Sequence, residues 1–154
     1  MRRRLYPLDH RPATRSPSSG PIRVVLANDH PALRRSLRWL LDHESDLDVV
    51  GEASDFDAAL REVSVKRPDV LVLDLRMQGG FRAERIKRLR ELSPSTEIVV
   101  TTMHPNETFA IEALTAGAIG FVVADTADRE LVGAVRRASR GLAYTSPRIT
   151  RAIA

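Results

Sequence analysis

The side chains able to do chemistry in this sequence gather where short apolar runs stop. Asn28-Asp29-His30 follows the run Ile22–Ala27, Asp74 follows 70–73, Thr101-Thr102 follows 98–100, and Ala124-Asp125 follows 119–123. Two carboxylates placed in one cleft need a cation, a shared proton or separation. Oxygen ligands without a His or Cys partner favour magnesium. Other chemistries fit worse. No Gly-rich phosphate loop follows the first run, and there is no G-x-S-x-G elbow. Arg76 stands two places after Asp74, where a dehalogenase-type phosphatase carries a second Asp. His30 lacks a third partner, so no water-activating base is evident for a magnesium-dependent phosphatase. With no cysteine in the chain, disulfides, Cys-zinc sites, thiol nucleophiles and Fe–S clusters are excluded.

These groups need a scaffold, and the pattern around them supplies one. The apolar runs at Ile22–Ala27, 49–53, 70–73, 98–100 and 119–123 are short and rich in β-branched residues, as strands are. Between them, stretches at 31–44, 56–67, 81–92, 106–116 and, after the last run, 129–140 carry apolar residues at helical spacing. Leu33, Leu37, Leu40 and Leu41 share one face, as do Leu131, Val135 and Ala138. Pro68, Pro94, Gly117 and Gly141 punctuate helix ends. Five strands alternating with five helices predict a doubly wound α/β domain with a parallel five-stranded sheet, order 2-1-3-4-5. That order makes strands 1 and 3 neighbours and places Asp29 and Asp74 together beyond their carboxyl ends.

The 154 residues, 43% hydrophobic and 29% charged, suit one domain with a full core. The net charge of +4 is local: residues 1–23 hold six arginines against Asp9, while the remainder is close to neutral. Residues 1–21, rich in Pro, Ser and Gly, are expected to be a flexible basic arm, 22–146 the domain, and 147–154 a C-terminal tail. No apolar run approaches the ~18 residues of a membrane span, so a cytoplasmic protein without membrane contact is expected.

The segments IRVVLANDHPALRRSLRWLL, VVGEASDFDAAL, RPDVLVLDLRM, IVVTTMH and ALTAGAIGFVVAD resemble, in collinear order, the receiver domain of two-component response regulators. The branch they resemble usually carries a LuxR-type helix-turn-helix. The resemblance implies a CheY-like, flavodoxin-like (βα)5 fold and a phosphoacceptor at Asp74 that takes its phosphoryl group from a sensor histidine kinase. It implies Mg²⁺ held by Asp29, Asp74 and the backbone carbonyl of Arg76, with Asn28 in the outer acidic position. Thr102 falls where a hydroxyl contacts the phosphoryl group, and Phe121 where an aromatic changes rotamer on activation. Such a domain is a signalling module, an enzyme at most toward its own phosphorylation. Because no helix-turn-helix follows Pro147, direct DNA reading by this chain is not expected.

The sequence departs from the pattern at three places. Ala124 stands where the family has a strand-5 lysine, Asn28 replaces an acidic residue, and Gln78 replaces a proline in the loop after the acceptor. An atypical receiver switched at Asp74 is the leading expectation. The alternative is a pseudo-receiver, a protein-interaction module read without phosphorylation. Competing structural roles stand beside these: Asp29 as a cap for the first helix, Phe121 as plain core, Thr102 as a partner of its own backbone. Trp39 lies opposite the apolar stripe of its helix, beside Arg35 and Arg38, with the composition of a protein interface. Homodimer contacts through helix 1, or through the helix 4–strand 5–helix 5 face, are expected alongside a kinase or other signalling partner. The arginines of 82–90 read as a solvated face or one suited to an acidic partner, softened by a helix-spaced Glu84–Arg88 pair.

Overall fold

The computed structural model describes residues 20–77, 82–104 and 106–153. The arm expected over 1–21 lies outside them except for Gly20 and Pro21, and Gln78 lies outside them too. In chain order the elements are β1 (Ile22–Ala27), α1 (Pro31–Asp42), β2 (Leu47–Ala53), α2 (Phe56–Lys66), β3 (Val70–Asp74) and α3 (Ala83–Leu92). These are followed by β4 (Glu97–Thr102), α4 (Glu107–Ala116), β5 (Gly120–Val123), a 3-10 turn (Ala124–Thr126), α5 (Ala127–Ser139), β6 (Tyr144–Thr145) and α6 (Pro147–Ile153). All strand pairs are parallel, in the order β2-β1-β3-β4-β5-β6.

Two-residue alternation divides the core into a layer on each face of the sheet. Val25, Leu71, Leu73, Ile98, Val100 and Phe121 face the side covered by α2, α3 and α4. Val24, Leu26, Val70, Val72, Val99 and Val122 face α1 and α5, meeting Leu37, Leu41, Leu131 and Val135. Full burial of each such side chain is worth about 1.5–3 kcal/mol, so the strands are held from both sides and their carboxyl ends are fixed in space.

Local chemistry sets where the helices begin and end. The Asp55 carboxylate caps α2 by accepting from the Ala58 amide at 2.7 Å, and the Asn106 side chain caps α4 from the Phe109 amide at 3.1 Å. Helix α1 starts differently. Its cap position is His30, which makes no side-chain capping bond, and Pro31 opens the first turn. Asp29 is therefore not the cap and remains at the strand end. After α4 the chain reverses at Gly117, with φ 125°, where a Cβ would lie 3.0 Å from Cγ of Arg90.

The structure corrects the expected C-terminal part. The sheet has a sixth strand, and residues 147–153 form a helix rather than a tail. Ile149 of α6 is 1% exposed and joins the core layer that contains Phe121, Ala110 and Ala113. Glu130 of α5 clasps the segment: its Oε1 accepts from the Tyr144 hydroxyl at 2.8 Å and from the Ser146 hydroxyl at 2.6 Å. The face expected from helix 4, strand 5 and helix 5 is thus partly built of β6 and α6.

Candidate functional site

Ala27 pairs with Leu73, so the next residues of β1 and β3, Asn28 and Asp74, leave the sheet side by side. Asp74 also pairs with Thr101, and the Leu75 amide donates to the Thr101 carbonyl at 2.8 Å, which ties the turn after the acceptor position to β4. The half-buried Asp74 carboxyl accepts from the Arg76 amide at 3.2 Å. Its pKa lies above the ordinary carboxylate range. Burial is the main cause; the Arg76 amide opposes it, and the charge and hydrogen bond of Asp29 reinforce it, with a smaller opposing pull from His30.

Asn28 is fully buried and locked into the backbone. Its Oδ1 accepts from the His30 amide at 2.8 Å, its carbonyl accepts from Arg34 at 2.7 Å, and its own amide donates to Ala53 at 3.0 Å. Its Nδ2 is buried without a hydrogen-bond partner. An acidic residue there would add an acceptor; Asn28 adds an unused donor.

The other expected residues are placed as follows. The Thr102 hydroxyl donates to the His104 carbonyl at 3.1 Å and accepts from the His104 amide at 3.2 Å, closing a local turn. Phe121 is fully buried within the core layer under α4. Ala124 opens the 3-10 turn after β5, and its neighbour Asp125 pairs with Arg148 of α6 at 2.7 Å. Trp39 is 61% exposed and stacks on His43 at a centroid distance of 3.8 Å. It lines a groove of about 680 Å³ between α1 and the start of α5, with Leu33, Leu40, Ala124 and Asp128.

Sequence reasoning missed Arg85, which it counted with a solvated face. Its guanidinium donates to the Met77 carbonyl and lies 5.0 Å from the Phe56 ring centroid. No periodic signal separates it from its exposed neighbours; its contacts with Met77 and Phe56 do.

Magnesium suits what the strand ends offer. Two neighbouring carboxylates offer hard oxygen ligands to a cation, whereas the unpaired Asn28 Nδ2 is a donor and suits only an anionic oxygen. The described residues contain no cluster of three or more acidic or His side chains, so backbone carbonyl and water would complete the shell.

The fold recurs in known proteins. The family model for the response regulator receiver domain matches residues 24–136. The chain belongs to that family. The receiver is 35% identical over 120 residues to the uncharacterized transcriptional regulatory protein YxjL of Bacillus subtilis (strain 168), covering 78% of this chain and 55% of YxjL. It is 34% identical over 134 residues to the nitrate/nitrite response regulator protein NarL of Escherichia coli (strain K12), covering 87% of this chain and 62% of NarL. The chain therefore spans less than two thirds of these relatives. Among solved structures, the two-component response regulator of the LuxR family from Aurantimonas sp. SI85-9A1 superposes with a TM-score of 0.80 at 32% identity, over 86% of this chain and 94% of the other. The signal receiver domain of the putative response regulator NarL from Mycobacterium tuberculosis gives 0.74 at 34% identity, over 79% and 98%. The receiver has a CheY-like, flavodoxin-like fold, and no described helix is long and apolar enough to cross a membrane.

Proposed function

We propose that this receiver is a phosphorylation switch in which Asp74 accepts a phosphoryl group from a sensor histidine kinase. The observation that carries the reading is the half-buried Asp74 carboxyl at the end of β3, in contact with Asp29 at the end of β1. A bound Mg²⁺ would be held by the Asp29 and Asp74 carboxylates and the Arg76 carbonyl, where it neutralises phosphoryl oxygens. Asn28 occupies the outer position, and with Oδ1 committed to His30 it offers its Nδ2 donor to anionic oxygen. Thr102 reaches a phosphoryl oxygen by exchanging its bonds to His104, and Phe121 relays the change beneath α4. The groove beside Trp39 is the docking surface for the kinase or other signalling partner, and α1 or the α4–β5–α5 face serves homodimer contact. The output of the whole protein, by analogy with relatives named as transcriptional regulators, is transcription control in the cytoplasm.

A second reading has its own support. Ala124 removes a cation from the β5 wall, and the Thr102 hydroxyl is already satisfied by His104. Both suit a pseudo-receiver whose surface is read without phosphate.

Intact mass after incubation with acetyl phosphate and Mg²⁺, beside an Asp74→Asn control, separates the two. A gain of one phosphate that disappears in the control supports the switch. No gain, with no Mg²⁺ effect on Trp39 fluorescence, supports the pseudo-receiver.

A further inference from the structure

An aspartyl phosphate brings nearly two negative charges into a recess that already holds Asp29. The chain following β5 opens with Ala124, so no ammonium enters from that wall. The opposite wall is different. Arg82 and Arg85, at the start of α3, line a small recess at the carboxyl end of β3 together with Leu73, Asp74, Leu75 and Ile86. Arg85 is held over the acceptor loop by the Met77 carbonyl, three residues past Asp74, and by the face of Phe56. Arg82 occupies the cap position of α3 with extended backbone (φ −142°, ψ 110°), and its side chain makes no capping bond. A guanidinium stays charged and presents forked donors that match phosphoryl oxygens.

We propose that Arg82 and Arg85 supply, from the α3 side, the positive charge and hydrogen bonds that a strand-5 lysine supplies in ordinary receivers. The cation has moved from one wall of the site to the other. This rests on Asp74 being the phosphoacceptor. In the step concerned, a carboxylate oxygen of Asp74 attacks the phosphorus of acetyl phosphate and a new O–P bond forms. The P–O bond to the acetyl group breaks, and acetate leaves with the electron pair; nothing is oxidised or reduced. The arginines donate hydrogen bonds to the transferring oxygens and keep their protons.

The test compares initial phosphorylation rates with acetyl phosphate and Mg²⁺ for the wild type, Arg82→Gln, Arg85→Gln, the double variant, and the double variant carrying Ala124→Lys. Affinity for beryllofluoride, measured by calorimetry, gives a readout independent of turnover. Thermal midpoints identify any loss of fold at Arg85, and Arg82→Gln, at an exposed position, tests the idea without that complication. Arg82→Gln is expected to slow phosphorylation and weaken beryllofluoride binding about tenfold, and the double variant more, as loss of a charge-assisted contact does. Ala124→Lys is expected to return the double variant to within about threefold of the wild-type rate. A wild type that takes phosphate while the double variant matches it, or a lysine that rescues nothing, overturns the proposal. A wild type that takes no phosphate overturns the Asp74 reading itself, and this proposal with it.

Discussion

Asp29 and Asp74, which stand at the ends of β1 and β3, meet in a half-buried recess, and burial with Asp29's charge holds the Asp74 carboxyl above the ordinary carboxylate range. The raised pKa means that Asp74 holds its proton more tightly in the folded state than in the unfolded chain. The stability this contributes is fully present below the ordinary pKa of 3.8 and is lost as pH rises through the higher folded value.

Asp74→Asn is therefore expected to be more stable than the wild type near pH 7 without Mg²⁺. The gain is on the order of 1 kcal/mol or less, because the group remains partly screened by solvent. The gap should close toward pH 3. Chemical denaturation at pH 3, 5 and 7 measures it, and a wild type that gains on the variant as pH rises has the sign reversed.

Asn28→Asp restores a third carboxylate beside Asp29 and Asp74. Without Mg²⁺ it should cost about 1–3 kcal/mol, since a buried carboxylate joins two others. Millimolar Mg²⁺ should recover that loss, with affinity raised about tenfold over the wild type. Thermal melts across a Mg²⁺ titration read both effects.

Ile149 packs into the same core layer as Phe121, although it comes from the last helix. Ile149→Ala should destabilise the whole domain by about 2–4 kcal/mol in a single unfolding transition. Arg148→Ala, which removes only the exposed pair with Asp125, should cost less than about 1 kcal/mol. Equal effects from the two would mean that α6 is attached by its charges rather than by its core contact.

Trp39→Ala should leave stability within about 0.5 kcal/mol, because the ring is exposed and, among the described residues, its ring contact is with His43. Its effect should fall on partner affinity or on self-association measured by sedimentation. Unchanged values for both would take the groove between α1 and α5 out of consideration as a docking surface.

Much of this was legible in the sequence because strong periodicities carried it. The run IRVVLA is β1 residue for residue, and the apolar stripe at Leu37 and Leu41 is the buried face of α1. The meeting of Asp29 and Asp74 followed from strand order alone, since neighbouring parallel strands bring their carboxyl ends together. What escaped was set by tertiary contact. Tyr144–Thr145 is too short to show a period of two, and seven residues of α6 give barely two turns to read. Helix α5 begins at Ala127, two residues before the expected 129, because a 3-10 turn carries the chain straight from β5 into it. Arg90 pairs with the fully buried Glu97, an ion pair that needs the α3–β4 connection to bring its members together. Thr102 was read by its position, but whether its hydroxyl faces the acceptor or its own turn depends on the backbone at His104.

The two residues of β6 also govern what the sheet can meet outside its own molecule. A parallel sheet ending at β5 would present GFVV as a bare border strand, with unpaired amides and carbonyls ready to accept a strand from another chain. Instead the Tyr144 amide donates to the Ile119 carbonyl at 3.2 Å, the Ser146 amide to Phe121 at 2.8 Å, and the Val123 amide to the Ser146 hydroxyl at 3.0 Å. At the far border β2 carries exposed Asp48 and Glu52, charges that discourage the same stacking. The protein thus guards one rim of its sheet with charge and the other with its own backbone. Loss of residues 144–153 would uncover the β5 edge to strand addition and remove the Ile149 core contact with it.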